Sequence, residues 1–182
     1  MEKKEVKQQH QSESITFRLD STILNKLHHE AGQKDISVNT LVSHIIRRHI
    51  DWHSNAAKAG FVTVRKGLLS NLINRLTEKE IASTAEYMAK NETKDFVLLL
   101  RNEYNIESAL DVIETWIKIS GYPYRHEVNY TRHSYVIQHD VGKNYSLYSA
   151  ELYSYLFEEF GLKKVEFDLN DNTLAFVVDT EK

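Results

Sequence analysis

Ser14-Ile15-Thr16-Phe17-Arg18-Leu19-Asp20, continued by Ser21-Thr22-Ile23-Leu24 and, past Asp35-Ile36-Ser37, by Val38-Asn39-Thr40-Leu41, is the stretch that decides how this chain folds. Residues 14–20 alternate strictly. Ile15, Phe17 and Leu19 fall on one face, and Ser14, Thr16 and Arg18 on the other, the pattern of a half-buried strand. Asp20 is a favourable N-cap, and Leu24, Leu27 and Ala31 recur at helical spacing behind it, which predicts a helix over 21–33. Ser37 is a second cap. Val38, Leu41, Val42, Ile45, Ile46, His49 and Ile50 form the apolar stripe of another helix, running to about residue 53.

A single short strand with one apolar face has no nearby strand to pair with, so its backbone N–H and C=O groups lack partners. A unit of about forty residues also buries too little surface to stand alone. Both difficulties are met if two chains pair. Their strands then form an antiparallel ribbon, with Ile15, Phe17 and Leu19 turned to a shared helical core and Ser14, Thr16 and Arg18 outward.

Residues 13–53 resemble the ribbon-helix-helix superfamily of Arc-type and methionine-type repressors. The resemblance rests on Ser14–Asp20, the helix from Ser21, the turn Gln33-Lys34-Asp35-Ile36-Ser37 and the helix from Val38. It implies a homodimer whose ribbon enters the major groove of double-stranded DNA, with Ser14, Thr16 and Arg18 reading base edges. It also implies that Ser37, Val38 and Asn39, at the start of the second helix, hold a backbone phosphate. The chemistry suits those positions. Arg donates two bonds to guanine, Thr and Ser bond several bases, and a helix N-terminus attracts anions. Arg47 and Arg48, several turns along, are read as solvated or bridged to acids. The chain departs from the family in the turn, where glycine is common and Asp35 stands here. Asp tolerates a left-handed backbone better than most residues, while its charge opposes a phosphate.

The 182 residues contain no cysteine, which excludes disulfides, thiolate metal sites and cysteine nucleophiles and suits a cytoplasmic protein. Net charge is −3 but unevenly spread: 11 Lys and Arg stand against 7 acids up to Lys66, and 12 against 19 beyond it. A basic front suits a polyanionic partner. The longest apolar run, Phe96–Leu100, is too short for a membrane span, and the first ten residues have no signal-peptide core. No membrane partner is expected.

Residues 1–13 read as a flexible arm, 14–53 as the ribbon-helix-helix domain, 54–65 as a linker and 66–182 as an α+β sensor or oligomerisation domain. Within the last part, helices are predicted over 66–76, over 78–90 behind a Thr77/Glu80 capping box, over 106–120 and over 145–160. Strands are predicted over 95–101, 124–130, 133–139, 163–169 and 173–179. The β-α-β-β-α-β(β) order from residue 95 matches a ferredoxin-like arrangement. The whole is therefore α+β. In outline it is similar to the nickel-responsive regulators, which join the same N-terminal module to a ferredoxin-like metal domain.

That similarity makes His126, His133, His139 and Asp140 metal candidates. With a Thr131-Arg132 loop, Tyr124, His126, Val128 and Tyr130 share a sheet face with His133, Tyr135, Ile137 and His139. The spacing matches no strong metal motif, and histidines on such a face more often bond phenols or carbonyls, so no metal or other cofactor is expected. The segment His139–Ser146 opens a helix and reads as a turn or, less simply, an anion site. Tyr145, Tyr148, Tyr153 and Tyr155 pack a core or line a small aromatic pocket. No nucleophile, base and orienting group stand together, so no catalytic residue is assigned and no enzyme is expected.

The function these features predict is a dimeric, sequence-specific transcriptional regulator, with further association or a small-molecule effector at its C-terminal domain. Two rival readings are an antitoxin-like module whose C-terminal part binds a partner protein, and an enzyme with an auxiliary dimerisation arm.

Overall fold

The computed structural model describes residues 13–162 and 165–181, so nearly all of the 1–13 arm and the start of the strand expected at 163–169 lie outside the described residues. The molecule is mixed helix and sheet, and its chain divides into two compact units between Ile45 and Ile46. Residues 54–65 thus belong to the second unit.

In the first unit, residues 13–20 have no regular structure within one chain, and Ile15, Phe17 and Leu19 are 75%, 52% and 45% exposed. Helix α1 (Ser21–Gln33) begins where Asp20 accepts the Thr22 N–H at 2.8 Å. It ends in the turn that the sequence left to Asp35. Ile36 N–H reaches back to the Ala31 carbonyl at 3.1 Å, and Asp35 takes φ +53°, the left-handed conformation. Helix α2 (Val38–Arg48) follows. Ser37 Oγ accepts the Thr40 N–H at 3.0 Å.

The second unit continues the helix further than expected. A π-helical turn at His49–His53 leads into α3 (Ser54–Ala56), three residues into the stretch read as a joint. Phe61 is not on a loose tether. Its ring lies 5.1 Å from Trp52, 4.7 Å from Phe96 and 5.6 Å from Trp116. Helices α4 (Lys66–Ile73) and α5 (Glu78–Met88) come next, α5 with the complete Thr77/Glu80 capping box.

The strand expected at 95–101 is a helix, α6 (Lys94–Arg101). A π-turn at Ala89–Thr93 joins it to α5, and Thr93 Oγ1 bonds back five residues to the Met88 carbonyl at 3.0 Å. Phe96-Val97-Leu98-Leu99-Leu100 fits a buried strand or one face of a helix equally well by periodicity. Packing decides: Val97 is fully buried, Phe96 meets Trp52 at 5.5 Å, and Leu99 is left 38% exposed. Asn102 closes the helix at φ +57°.

Without that strand the ferredoxin-like order is not formed. Instead α7 (Ile106–Ser120), β1 (Tyr124–Asn129) and β2 (Arg132–Gln138) are followed by α8 (Lys143–Glu159), β3 (Glu166–Leu169) and β4 (Thr173–Asp179), an α-β-β order used twice. The sheet is antiparallel throughout, in the order β1-β2-β4-β3. Its β1–β2 turn is Tyr130-Thr131 rather than Thr131-Arg132, because Asn129 pairs with Arg132. The slip moves each cross-strand partner by two residues and leaves the faces unchanged.

One face of the sheet is covered. Tyr135, Ile137, Leu174, Phe176 and Val178 pack with Ala109, Leu110, Ile113 and Ile117 of α7 and Tyr153, Leu156 and Phe157 of α8. No described helix is long and apolar enough to cross a membrane.

Candidate nucleic-acid interface and ligand cavity

Ser14, Thr16 and Arg18 are all exposed, as are the alternate apolar residues Ile15, Phe17 and Leu19 between them. The structure thus places the three expected base-reading residues on an open segment immediately before α1. Ser37, Val38 and Asn39 sit together at the start of α2. The Ser37 hydroxyl is committed to Thr40, at 3.0 Å from its N–H and 2.8 Å from its Oγ1. The N–H groups of Val38 and Asn39 occupy the first two helical positions, which have no intrahelical acceptor. Arg48 is exposed and bridges no acid among the described residues; it donates to the Ile119 carbonyl at 3.0 Å, at the C-terminal end of α7.

The histidine candidates separate into two sites. His126 and His133 come together across β1 and β2, Nε2 to Nδ1 at 3.1 Å. His126 Nδ1 lies 3.1 Å from Glu114 Oε2, and its ring stacks on Tyr135 at 3.9 Å. Glu114 also accepts from Tyr124 at 3.0 Å and pairs with Lys118 at 2.7 Å. Partial burial works to raise the Glu114 pKa, but the bonds from Lys118 and Tyr124 and the charges of Lys118 and His126 hold it below the ordinary value. Burial, with the neighbouring His126, lowers that of His133.

His139 is elsewhere engaged. It is almost wholly buried; its Nδ1 accepts the Val141 N–H at 3.1 Å, and its Nε2 lies 2.7 Å from Ser146 Oγ, which donates to the Asn170 carbonyl at 2.6 Å. An Nδ1 that accepts leaves the proton on Nε2. The imidazole therefore donates to the serine, and the serine donates its own O–H to the Asn170 carbonyl. That direction is opposite to a base activating a nucleophile. Burial lowers the His139 pKa, in keeping with a neutral ring. Asp140, at φ +54°, is exposed and accepts from Gln138 at 3.2 Å. Among the described residues no three His, Asp or Glu side chains are grouped to hold a metal.

The start of α8, weighed in the sequence as an anion site, is filled from within. Asn74 Nδ2 donates to the Val141 carbonyl at 2.8 Å, and its Oδ1 faces the Asn144 N–H at 3.4 Å. Asn144 in turn donates to the carbonyls of Ile73 and Leu76. Gly142, at φ +115°, is needed here because a Cβ would lie 2.4 Å from the Asn74 side chain.

What sequence reasoning missed is the scale of the aromatic pocket. The second unit holds a half-open cavity of about 1160 Å³ between α4, α5, α6, α7 and α8. Tyr145, Tyr148 and Tyr153 line it; Tyr155 instead lies under Lys90, 5.9 Å from its ammonium. Its walls are mainly apolar, with Leu69, Leu72, Phe96 and Trp116 among them. The volume is somewhat above the usual range of small-molecule sites.

No family model matches this chain, and no curated protein or solved structure is similar to it above the threshold for relatedness.

Proposed function

We propose that this chain is a sequence-specific, double-stranded-DNA-binding regulator of transcription, a repressor-type protein without catalytic activity, that acts as a homodimer. In this reading residues 14–20 of two copies pair as the two-stranded ribbon of a ribbon-helix-helix module and enter the major groove. Ser14, Thr16 and Arg18 then meet base edges, and the α2 start at Ser37, Val38 and Asn39 meets a phosphate. The second unit binds a small-molecule effector or extends the assembly, and the protein works in the cytoplasm with no resident metal or other cofactor.

The observation that carries the proposal is the exposed row Ile15, Phe17 and Leu19 standing just before two helices whose own packing buries only Ala31 and Leu41 among residues 13–45. An apolar face beside so small a core calls for a second copy. The left-handed Asp35 between the helices supports it too, since the turn keeps its form with Asp in place of glycine.

Selection of bound sites from random duplex DNA at stated salt tests the reading, with the full chain. Affinity for the selected site is expected to fall steeply as salt rises. Arg18→Ala is expected to cost about 1–3 kcal/mol of that affinity while the dimer stays folded. Unchanged affinity would remove Arg18 from the base-reading face, and absence of any enriched, salt-dependent site would end the proposal.

A further inference from the structure

The cavity of the second unit has a long axis and a polar end. Tyr145, Tyr148, Ser149, Leu152, Tyr153 and Leu156 line it as one stripe of α8, about 16 Å long at the helical rise per residue. Apolar residues dominate the walls around this stripe. Ile81, Val97 and Ala109, all fully buried, contribute to them.

The Tyr145 end differs. The Tyr122 hydroxyl lies 3.5 Å from that of Tyr145, and the Lys66 ammonium stands 5.5 Å from the Tyr122 ring centre. All three line the cavity, and Lys66 has no ion-pair partner among the described residues. Further along, Tyr153 is 92% buried, being 8% exposed, and its hydroxyl has no hydrogen-bond partner among the described residues. Among the described residues no fully enclosed side-chain polar atom lacks a partner, so this hydroxyl opens onto the cavity it lines. A buried phenol without a partner in an apolar chamber leaves a hydrogen bond for an occupant to complete.

Burial pushes the Tyr122 and Tyr153 phenols well above the ordinary tyrosine range and Tyr148 up to about 12. These groups therefore stay protonated and can donate. The acids of the lining, Glu92 and Asp95, lie on the π-turn and the start of α6; the Glu92 charge acts on Tyr148, midway along the stripe, and neither acid forms an ion pair with Lys66.

We propose that this cavity binds an amphiphilic carboxylate, an apolar body lying along α8 with its carboxylate held by Lys66 and the Tyr122–Tyr145 phenols. This rests on the reading of the second unit as effector-binding, and it names the class of effector. The ammonium supplies charge, the phenols supply donors, and the apolar walls take the remainder. A ligand with a cationic head gains nothing from Lys66 and cannot accept from the phenols.

The test uses the full chain, titrated below micellar concentrations with dodecanoate, dodecanol and dodecylamine, and followed by calorimetry. Dodecanoate is expected to bind roughly tenfold or more tightly than dodecylamine, the worth of a charge-assisted hydrogen bond. Lys66→Met should lower dodecanoate affinity by a similar factor and leave dodecanol unchanged. Leu152→Trp, checked for native circular dichroism, should weaken both. Equal binding of amine and acid, or a Lys66→Met protein that holds dodecanoate as well as the parent, overturns the head-group assignment. Failure of both dodecanoate and dodecanol to bind overturns the cavity as an amphiphile site.

A parallel arm measures binding to the selected duplex with and without dodecanoate. Carboxylate binding with no DNA binding leaves the cavity inference standing and removes the regulatory reading. DNA binding without carboxylate binding does the reverse.

Discussion

Among residues 13–45, Ala31 and Leu41 are the buried positions, and Ile15, Phe17, Leu19, Ile23, Leu24 and Ile45 stand 39–75% exposed. Among residues 46–181, a continuous core joins α7, α8 and the sheet, with Tyr135, Phe157, Phe176 and Val178 at 0–1% exposure. The second unit closes its core with its own side chains. The first has helices with good caps and a well-formed turn, yet almost nothing to bury them against. Local signals are thus enough to form elements and not enough to form a stable unit, because stability comes mostly from apolar area removed from water.

The sharpest way to break this comparison is to damage each core in turn. Phe157→Ala, at a fully buried position, is expected to cost about 3–5 kcal/mol, read as a lower denaturant midpoint that does not depend on protein concentration. Phe17→Ala, at a position half-exposed in one chain, should leave that midpoint alone. It is expected to weaken self-association by about 1.5–3 kcal/mol, the worth of burying such a side chain, measured by sedimentation equilibrium. If Phe17→Ala leaves association untouched, the first unit does not complete its core with a second copy.

Asp35→Gly sharpens the comparison on a smaller scale. At φ +53° glycine carries no steric penalty, so the change should stabilise the first unit by about 0.5–1 kcal/mol, detected as a raised midpoint of its own transition. Removal of the negative charge should also tighten DNA binding slightly.

The last difference is one of pH. His133 and His139 have pKa values lowered by burial from 6.5. Below about 6.5 the unfolded chain takes up these protons while the folded second unit resists them. Stability should therefore fall as pH drops from 7.5 to 5.5, and fall less in His139→Gln, by thermal melts at both values. A pH-independent melt would contradict the neutral, Nε2-protonated His139.

Much of the fold is legible where a residue acts on its near neighbours. Asp20 caps α1, Thr77 and Glu80 close a capping box, and the faces of β1 and β2 follow from alternation even though the turn between them slips by one residue. The segment Lys94–Arg101 is not legible, because five apolar residues in a row carry no period, and distant partners decide the helix: Trp52 and Phe61 at Phe96, Asp111 and Thr115 of α7 at Arg101, and the junction with α5. For the same reason the expected ferredoxin-like order takes its first strand from a segment that is a helix.

The sites divide likewise. Ser14, Thr16 and Arg18 are grouped by alternation alone, on a segment with no regular structure within one chain, and His126 meets His133 in a strand register two residues from the expected one. The filling of the α8 start by Asn74 depends on residues about seventy positions apart. So does the cavity. Tyrosines at 145, 148 and 153 announce an aromatic stripe, but an empty volume depends on how far four other helices stand from it, and no local pattern encodes that distance.

The π-turn of Ala89–Thr93 gives the α5–α6 joint an unusual relation to length. It holds one residue more per turn than a regular helix, and the Thr93 hydroxyl donates to the Met88 carbonyl just before it. Loss of any one of these five residues would regularise the spiral, and because the wide turn already absorbs the extra residue, everything beyond it would keep its facing. Val97 would stay turned inward, and the chamber's wall would keep its side chains. A one-residue deletion at this joint is therefore absorbed, whereas the same deletion within the regular turns of α5 or α6 would turn the residues beyond it by about 100°.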